Sequence, residues 1–222
     1  MKQVINRQLF ASALLGFEID GAEKLNQDLM AVINERRKIE LGVKVSNNHG
    51  WHSANDLFVR PEPAFKTVAG HITRAAMGLI RGSIENFDLS LHDIEGEGWV
   101  NVSGKGAFNS PHGHGAYLWS GVYYVQIPEQ PSGMSGTLEF IDPRNIVGTG
   151  SSLRPPVFAP KFQVRPQPGH LLIFPSYLVH WVYPNEDDSD RVSIAFNIKI
   201  VSRGNIITAY ACLLYTSPSP RD

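Results

Sequence analysis

Cysteine is nearly absent from this sequence: one, Cys212, stands among 222 residues. Such a chain has no disulfide framework and no thiolate cluster, so any metal site must draw on His, Asp or Glu. An excess of charge of one sign is missing too. With 20 Lys and Arg against 21 Asp and Glu, the formal net charge is −1 and the basic residues are scattered. That distribution excludes a broad field for a phosphate backbone, and with it broad nucleic-acid binding. No apolar run approaches the roughly 18 residues a spanning helix needs, and Met1-Lys-Gln-Val-Ile-Asn-Arg7 lacks the apolar stretch of a secretion signal. These features point to a cytoplasmic protein with no membrane association. Also lacking are G-x-x-x-x-G-K-[ST], G-x-S-x-G and H-E-x-x-H, which removes three large enzyme classes. What is present is a chain 42% hydrophobic and 18% charged, suited to one sizeable core.

The last eleven residues, Cys212-Leu-Leu-Tyr-Thr-Ser-Pro-Ser-Pro-Arg-Asp222, read as the translation of a transposase-type library adapter, leaving residues 1–211 as a single domain. Asp20 offers an N-cap to a helix in which Ala22, Leu25, Leu29, Val32 and Ile33 recur at three- and four-residue spacing. A second helix begins near Pro63, carries Phe65, Val68, Ile72, Ala76 and Leu79, and stops at Gly82. From about residue 84 to 203 the texture is β: Trp99 to Val102, Leu118 to Ile127, Thr137 to Ile141, Val157 to Val164, Leu171 to Phe174 and Arg191 to Val201. The fold class expected is mainly β, a sandwich or jelly roll with two N-terminal amphipathic helices, at about residues 20–82, packed outside. The loop Ile146 to Pro156 is long enough to line a site.

Eight histidines carry the chemistry that remains. In Pro111-His112-Gly-His114-Gly115 the two rings are two residues apart, so on extended backbone they share a face and can converge on one ion. His180, in Phe174-Pro-Ser-Tyr-Leu-Val-His180, is the candidate third ligand; three ligands on one side leave positions open, as a catalytic metal requires. Taken alone, His112 and His114 are as readily two loop histidines. His49, His52, His71, His92 and His170 read as surface or hydrogen-bonded residues, and Trp99, Tyr123, Tyr124 and Phe174 as core. Further on, alternation puts Arg191, Ser193, Ala195 and Asn197 on one strand face, where Arg191 and Ser193 could clamp a carboxylate. The rival reading pairs Arg191 with Glu186, Asp187, Asp188 or Asp190 at the surface.

In this order, Trp99-Val-Asn101, His112-Gly-His114, Ser120-Gly-Val-Tyr-Tyr-Val125, Gly136-Thr-Leu-Glu-Phe-Ile-Asp-Pro-Arg144, Gly169-x5-Pro175, His180-x-Val182-x-Pro184 and Arg191-x-Ser193-x-Ala195-Phe-Asn197 resemble the 2-oxoglutarate/Fe(II)-dependent oxygenases, in particular a bacterial and phage-type branch with unassigned substrates. Asn47 to Ser53 is similar to the N-terminal part of that branch. The resemblance implies a double-stranded β-helix and Fe(II), 2-oxoglutarate and O2 as cofactor and co-substrates. It further implies hydroxylation of an unactivated C–H bond in a small-molecule or peptide substrate. By position, His112, His114 and His180 match the metal ligands, and Arg191, Ser193, Tyr124 and Asn101 the residues around 2-oxoglutarate. One departure stands out, because most of the superfamily has Asp or Glu where His114 stands. Either His114 is the ligand or a carboxylate from Glu139 or Asp142 takes its place. A cupin reading also fits Gly106-x5-His112-x-His114, but it lacks the expected Glu near Leu118 and Trp119 and gives Arg191 no role. A metal-free binding module and a three-His zinc hydrolase are the other readings, and a homodimer is left open.

Overall fold

In the computed structural model, residues 11–84, 86–129, 131–144 and 159–203 are described. Strand β1 (Leu15–Glu18) turns into helix α1 (Ala22–Ile39). Asp20 does not cap this helix. The residue before it is Gly21, whose φ of 71° lets the Ala22 N–H close a turn on the Ile19 carbonyl at 3.2 Å, and no side chain caps the end. Leu25, Leu29 and Ile33 form the buried stripe of α1, with Arg36 below them. Arg36 is tolerated there because its guanidinium donates to Glu40 at 2.8 and 2.9 Å and to Asp56 at 3.0 Å. Two short strands follow, β2 (Asn47–Asn48) and β3 (Trp51–His52), and then α2 (Pro63–Ser83). Pro63 occupies the first turn, where its missing N–H leaves no hydrogen bond unmade, and α2 passes through Gly82 to end at Ser83.

The remaining elements are β4 (His92–Ser103), β5 (Phe108–His112), β6 (Trp119–Gln126), β7 (Leu138–Ile141), β8 (Lys161–Val164), β9 (His170–Pro175), β10 (His180–Val182) and β11 (Arg191–Ser202). They form two antiparallel sheets, one in the order β1-β9-β6-β11-β4-β3 and one in the order β2-β5-β10-β7-β8. Alternation along each strand then divides the core in two. Val192, Ile194, Phe196 and Ile198 of β11, Tyr123 and Val125 of β6, and Leu171 and Ile173 of β9 meet α1 and α2. Tyr124, Leu172 and Phe174 face the other way and join Leu138, Phe140 and Val182 in a second cluster. Gly121 is required where β6 crosses β11, since a Cβ there would stand 2.2 Å from the Phe196 ring and 2.4 Å from the Leu172 carbonyl. The sequence expectation for the loop Ile146 to Pro156 lies outside the described residues, as does the C-terminal stretch from Cys212. Among the described residues no helix is long and apolar enough to cross a membrane.

Candidate metal centre

The inward face of the larger sheet carries three rows of side chains set by strand register, the outer two largely polar. Asn101, Ser193 and Tyr124 lie side by side on β4, β11 and β6; two residues along come Trp99, Ala195 and Val122; two further along come Glu97, Asn197 and Ser120. Opposite them, on the smaller sheet, His180 pairs with both His112 of β5 and Phe140 of β7. This pairing brings two histidines distant in sequence to ring centroids of 4.5 Å. His114 arrives differently from the expectation. β5 ends at His112, so His114 is not on extended strand; its backbone N–H bonds the Ser176 carbonyl at 2.8 Å, which holds the loop against the turn after β9. Its ring then stands 4.9 Å from His112 and 5.5 Å from His180, and one nitrogen from each of the three lies within 4.8 Å of the others.

Two of these rings are pinned. The Nδ1 of His112 faces the Ser110 carbonyl at 2.7 Å, and that of His180 faces the Leu178 carbonyl at 2.9 Å. A carbonyl only accepts, so each Nδ1 carries a proton, which leaves Nε2 as the nitrogen that can offer a lone pair to a divalent ion. Burial pushes His180 down to about 3 and His114 to about 4, the neighbouring His112 adding to both shifts, so both rings are neutral at physiological pH. Phe174 packs edge-on to His180 at 5.0 Å, and Trp99 lies 6.0 Å from His114. Trp99 and Phe174 are therefore buried and also line the site, where sequence reasoning had them as core alone. His52, read as a surface or hydrogen-bonded residue, is buried at 3% exposure and stacks on Trp99 at 5.3 Å, while its Nδ1 meets the Ser53 carbonyl.

The same cavity, about 50 Å³, reaches Arg191, Ser193, Tyr124 and Asn101. Arg191 is 2% exposed and forms no ion pair among the described residues. Its Nε donates to the Gly136 carbonyl and its Nη1 to Ser193 Oγ, both at 3.1 Å, and its guanidinium carbon lies 5.3 Å from the Tyr124 ring centre. The surface reading fails because the acidic neighbours are taken. Asp190 pairs with Arg37 at 2.8 Å and Asp188 with Lys105 at 2.7 Å, while Asp187 and Glu186 accept from Ser135 and Ser132. Tyr124 Oη and Asn101 Oδ1 are buried without a hydrogen-bond partner. An unpaired buried cation beside two orphaned polar atoms is costly unless an anion binds there. Burial pushes the Tyr124 phenol up to about 12, so it remains a donor.

Neither carboxylate alternative reaches the histidines. Leu138 and Phe140 face inward, so Glu139 between them points to the outer face. There it accepts from Gln163 at 2.7 Å, from Trp181 and Tyr183 at 2.9 Å, and pairs with Lys161 at 2.8 Å. Burial alone would raise its pKa, but those four donors hold it down at about 2. Asp142 is bound by Arg144. Sequence reasoning missed Ser46 and Asn109, which also line the cavity; polar residues beside a two-residue strand and on a Pro-containing strand gave no periodic signal.

No curated protein matches the chain. Solved structures do, at identities that show the fold alone. A Pseudomonas putida prolyl-4-hydroxylase matches with TM-score 0.62 at 17% identity, over 87% of this chain and 94% of that one. The non-heme alpha-ketoglutarate-dependent epimerase SnoN of nogalamycin biosynthesis matches with 0.60 at 15%, over 95% and 86%. HygX from Streptomyces hygroscopicus, solved with nickel and 2-oxoglutarate, matches with 0.57 at 14%, over 85% and 83%. The model of the 2OG-Fe(II) oxygenase family matches residues 97–197, from the Glu97 row of β4 to its partner Asn197 on β11. That segment contains the three histidines and Arg191, so the part of the chain that resembles the 2-oxoglutarate/Fe(II) oxygenases is the part that builds the site.

Proposed function

We propose that the protein is a 2-oxoglutarate- and Fe(II)-dependent oxygenase that hydroxylates an unactivated C–H bond of a small-molecule or peptide substrate, with release of succinate and CO2. The two sheets are, on this reading, the walls of a double-stranded β-helix. One observation carries the proposal: imidazoles from His112, His114 and His180 stand in the same cavity as an unpaired, buried Arg191. When bound, iron couples the oxidative decarboxylation of 2-oxoglutarate by O2 to insertion of the second oxygen atom into substrate.

The chain's own part is placement. His112 and His180 present Nε2 in fixed tautomers, so no ring needs to reorient when an ion arrives. Arg191 receives the distal carboxylate, with Ser193 oriented by the guanidinium and Tyr124 Oη free to donate. Asn101, in register with Ser193, offers a further polar contact to the bound dicarboxylate. Trp99, Phe174 and Phe140 surround the histidines with apolar surface that excludes water. The test is succinate release from 2-oxoglutarate with Fe(II) in air. Release by the wild type and its loss in His180→Ala support the reading. Release that is unaffected by His180→Ala removes it.

A further inference from the structure

His114 is held unlike its two companions. Where His112 and His180 turn Nδ1 to carbonyl oxygens, His114 turns Nδ1 to the side-chain nitrogen of Asn197, 3.4 Å away. The orientation of that amide is fixed by a carboxylate on one side and agrees with a hydroxyl on the other. Asn197 Nδ2 donates to Glu97 Oε1 at 2.9 Å, and Ser120 Oγ donates to Asn197 Oδ1 at 2.7 Å. A carboxylate only accepts, so turning the amide over would set oxygen against oxygen at Glu97. Glu97 has the amide of Asn55 at 3.1 Å as a second donor and forms no ion pair among the described residues; Lys199 nearby is paired with Glu95 at 2.7 Å. Asn197 is 1% exposed, so water does not stand in for these contacts.

Resting on the metal-site reading above, we propose that Glu97, acting through Asn197, is a positioning pair that holds His114 back as a weak third ligand. Either nitrogen leads to the same result. If the ion takes His114 through Nδ1, the Asn197 N–H competes for that lone pair. If it takes Nε2, the N–H at Nδ1 keeps the ring proton on Nε2, where the ion must displace it. The ordinary arrangement, in which an acceptor stands behind a ligating histidine, is thereby reversed at one position of three. The ion is held firmly by His112 and His180 and conditionally by His114.

The test exchanges the two groups without changing net charge. In the double variant Glu97→Gln/Asn197→Asp, the amide introduced on β4 supplies the donor and the carboxylate introduced on β11 presents an acceptor to His114, while Ser120 can still donate to that carboxylate. Co(II) titration of the full chain, read from its visible d–d absorption, should show the double variant binding at least roughly tenfold more tightly than wild type, the scale of an outer-shell change at a metal-bound histidine. In a His114→Ala background the exchange should leave Co(II) affinity unchanged, a coupling that a merely structural role would not produce. Thermal melting of the metal-free proteins checks the fold. Asn197→Ala, which only deletes the competing N–H, should also bind more tightly and provides the second variant if the exchange does not fold. Equal affinity in wild type and folded variants, or a gain that persists without His114, overturns the proposal. Failure of every folded protein, wild type included, to bind Co(II) would instead remove the metal-site reading itself.

Discussion

Replacing Arg191 by Met keeps much of the length of its stem against Tyr124 and removes the guanidinium. That cation is 2% exposed and held by one carbonyl and one hydroxyl. Its desolvation is thus poorly compensated, and burial pushes its pKa down. Apolar replacements of buried charges are often neutral or stabilising, so the melting temperature of Arg191→Met should stay level or rise. Binding of 2-oxoglutarate should respond in the opposite sense. Deleting one partner of a buried, hydrogen-bonded charge pair costs about 2–5 kcal/mol, which is roughly thirty- to several-thousand-fold in affinity. Metal affinity in the absence of 2-oxoglutarate should barely change, because the hydrogen bonds of Arg191 go to Gly136 and Ser193 and to no histidine. Co(II) titration followed by 2-oxoglutarate titration of the Co(II) form, with a thermal melt of each protein, reads all three quantities. A large drop in melting temperature, or a 2-oxoglutarate affinity within about threefold of wild type, would refute the assignment of Arg191 as an anion-binding residue kept at a cost in stability.

His180→Ala should abolish succinate release and weaken Co(II) binding beyond the roughly 10–100-fold that loss of an outer partner causes; unchanged metal affinity would contradict its place in the centre. His114→Asp should bind Fe(II) at least as tightly as wild type, since a carboxylate can accept from Asn197 and still offer an oxygen, and weaker binding in a metal titration would count against it. Glu139 has its pKa lowered in the folded chain, so it contributes stability that is present above the ordinary glutamate range and lost as pH falls toward about 2. Glu139→Gln should therefore flatten the acid-unfolding profile between pH 4.5 and about 2, followed by circular dichroism; an identical profile would deny the four-donor cage any role. Leu29→Ala, at a fully buried position under the larger sheet, should lower unfolding free energy by about 2–5 kcal/mol in urea with the slope unchanged.

The two helices and the long strands were legible in the sequence because each presents a clean period to a core: Leu25, Leu29 and Ile33 on α1, and Val192, Ile194 and Phe196 on β11. The same alternation on β11 placed Arg191, Ser193 and Asn197 together on the inward face. Strands β2, β3, β5 and β10 were not legible, being two to five residues long and rich in Asn, His and Trp, with Pro111 inside β5. Yet β5 and β10 carry His112 and His180, so the convergence of the histidines rested on motif order and became geometry only through sheet pairing. The cap at Gly21 and the loop position of His114 were misread for one reason: each depends on a backbone hydrogen bond to a carbonyl that residue type does not announce. Glu97 and Asn197 are 100 positions apart, and only the β4–β11 register shows that they meet.

The central claim, that histidines and arginine serve one ion and one dicarboxylate together, is tested most directly without oxygen. Fe(II) and 2-oxoglutarate are added anaerobically to the full chain and the visible metal-to-ligand charge-transfer band of the chelate is sought. The band should form only with both present, be absent in His180→Ala, and in Arg191→Met require a 2-oxoglutarate concentration at least roughly thirtyfold higher than the wild type does. Iron bound to the wild-type protein with no band at any 2-oxoglutarate concentration would contradict it.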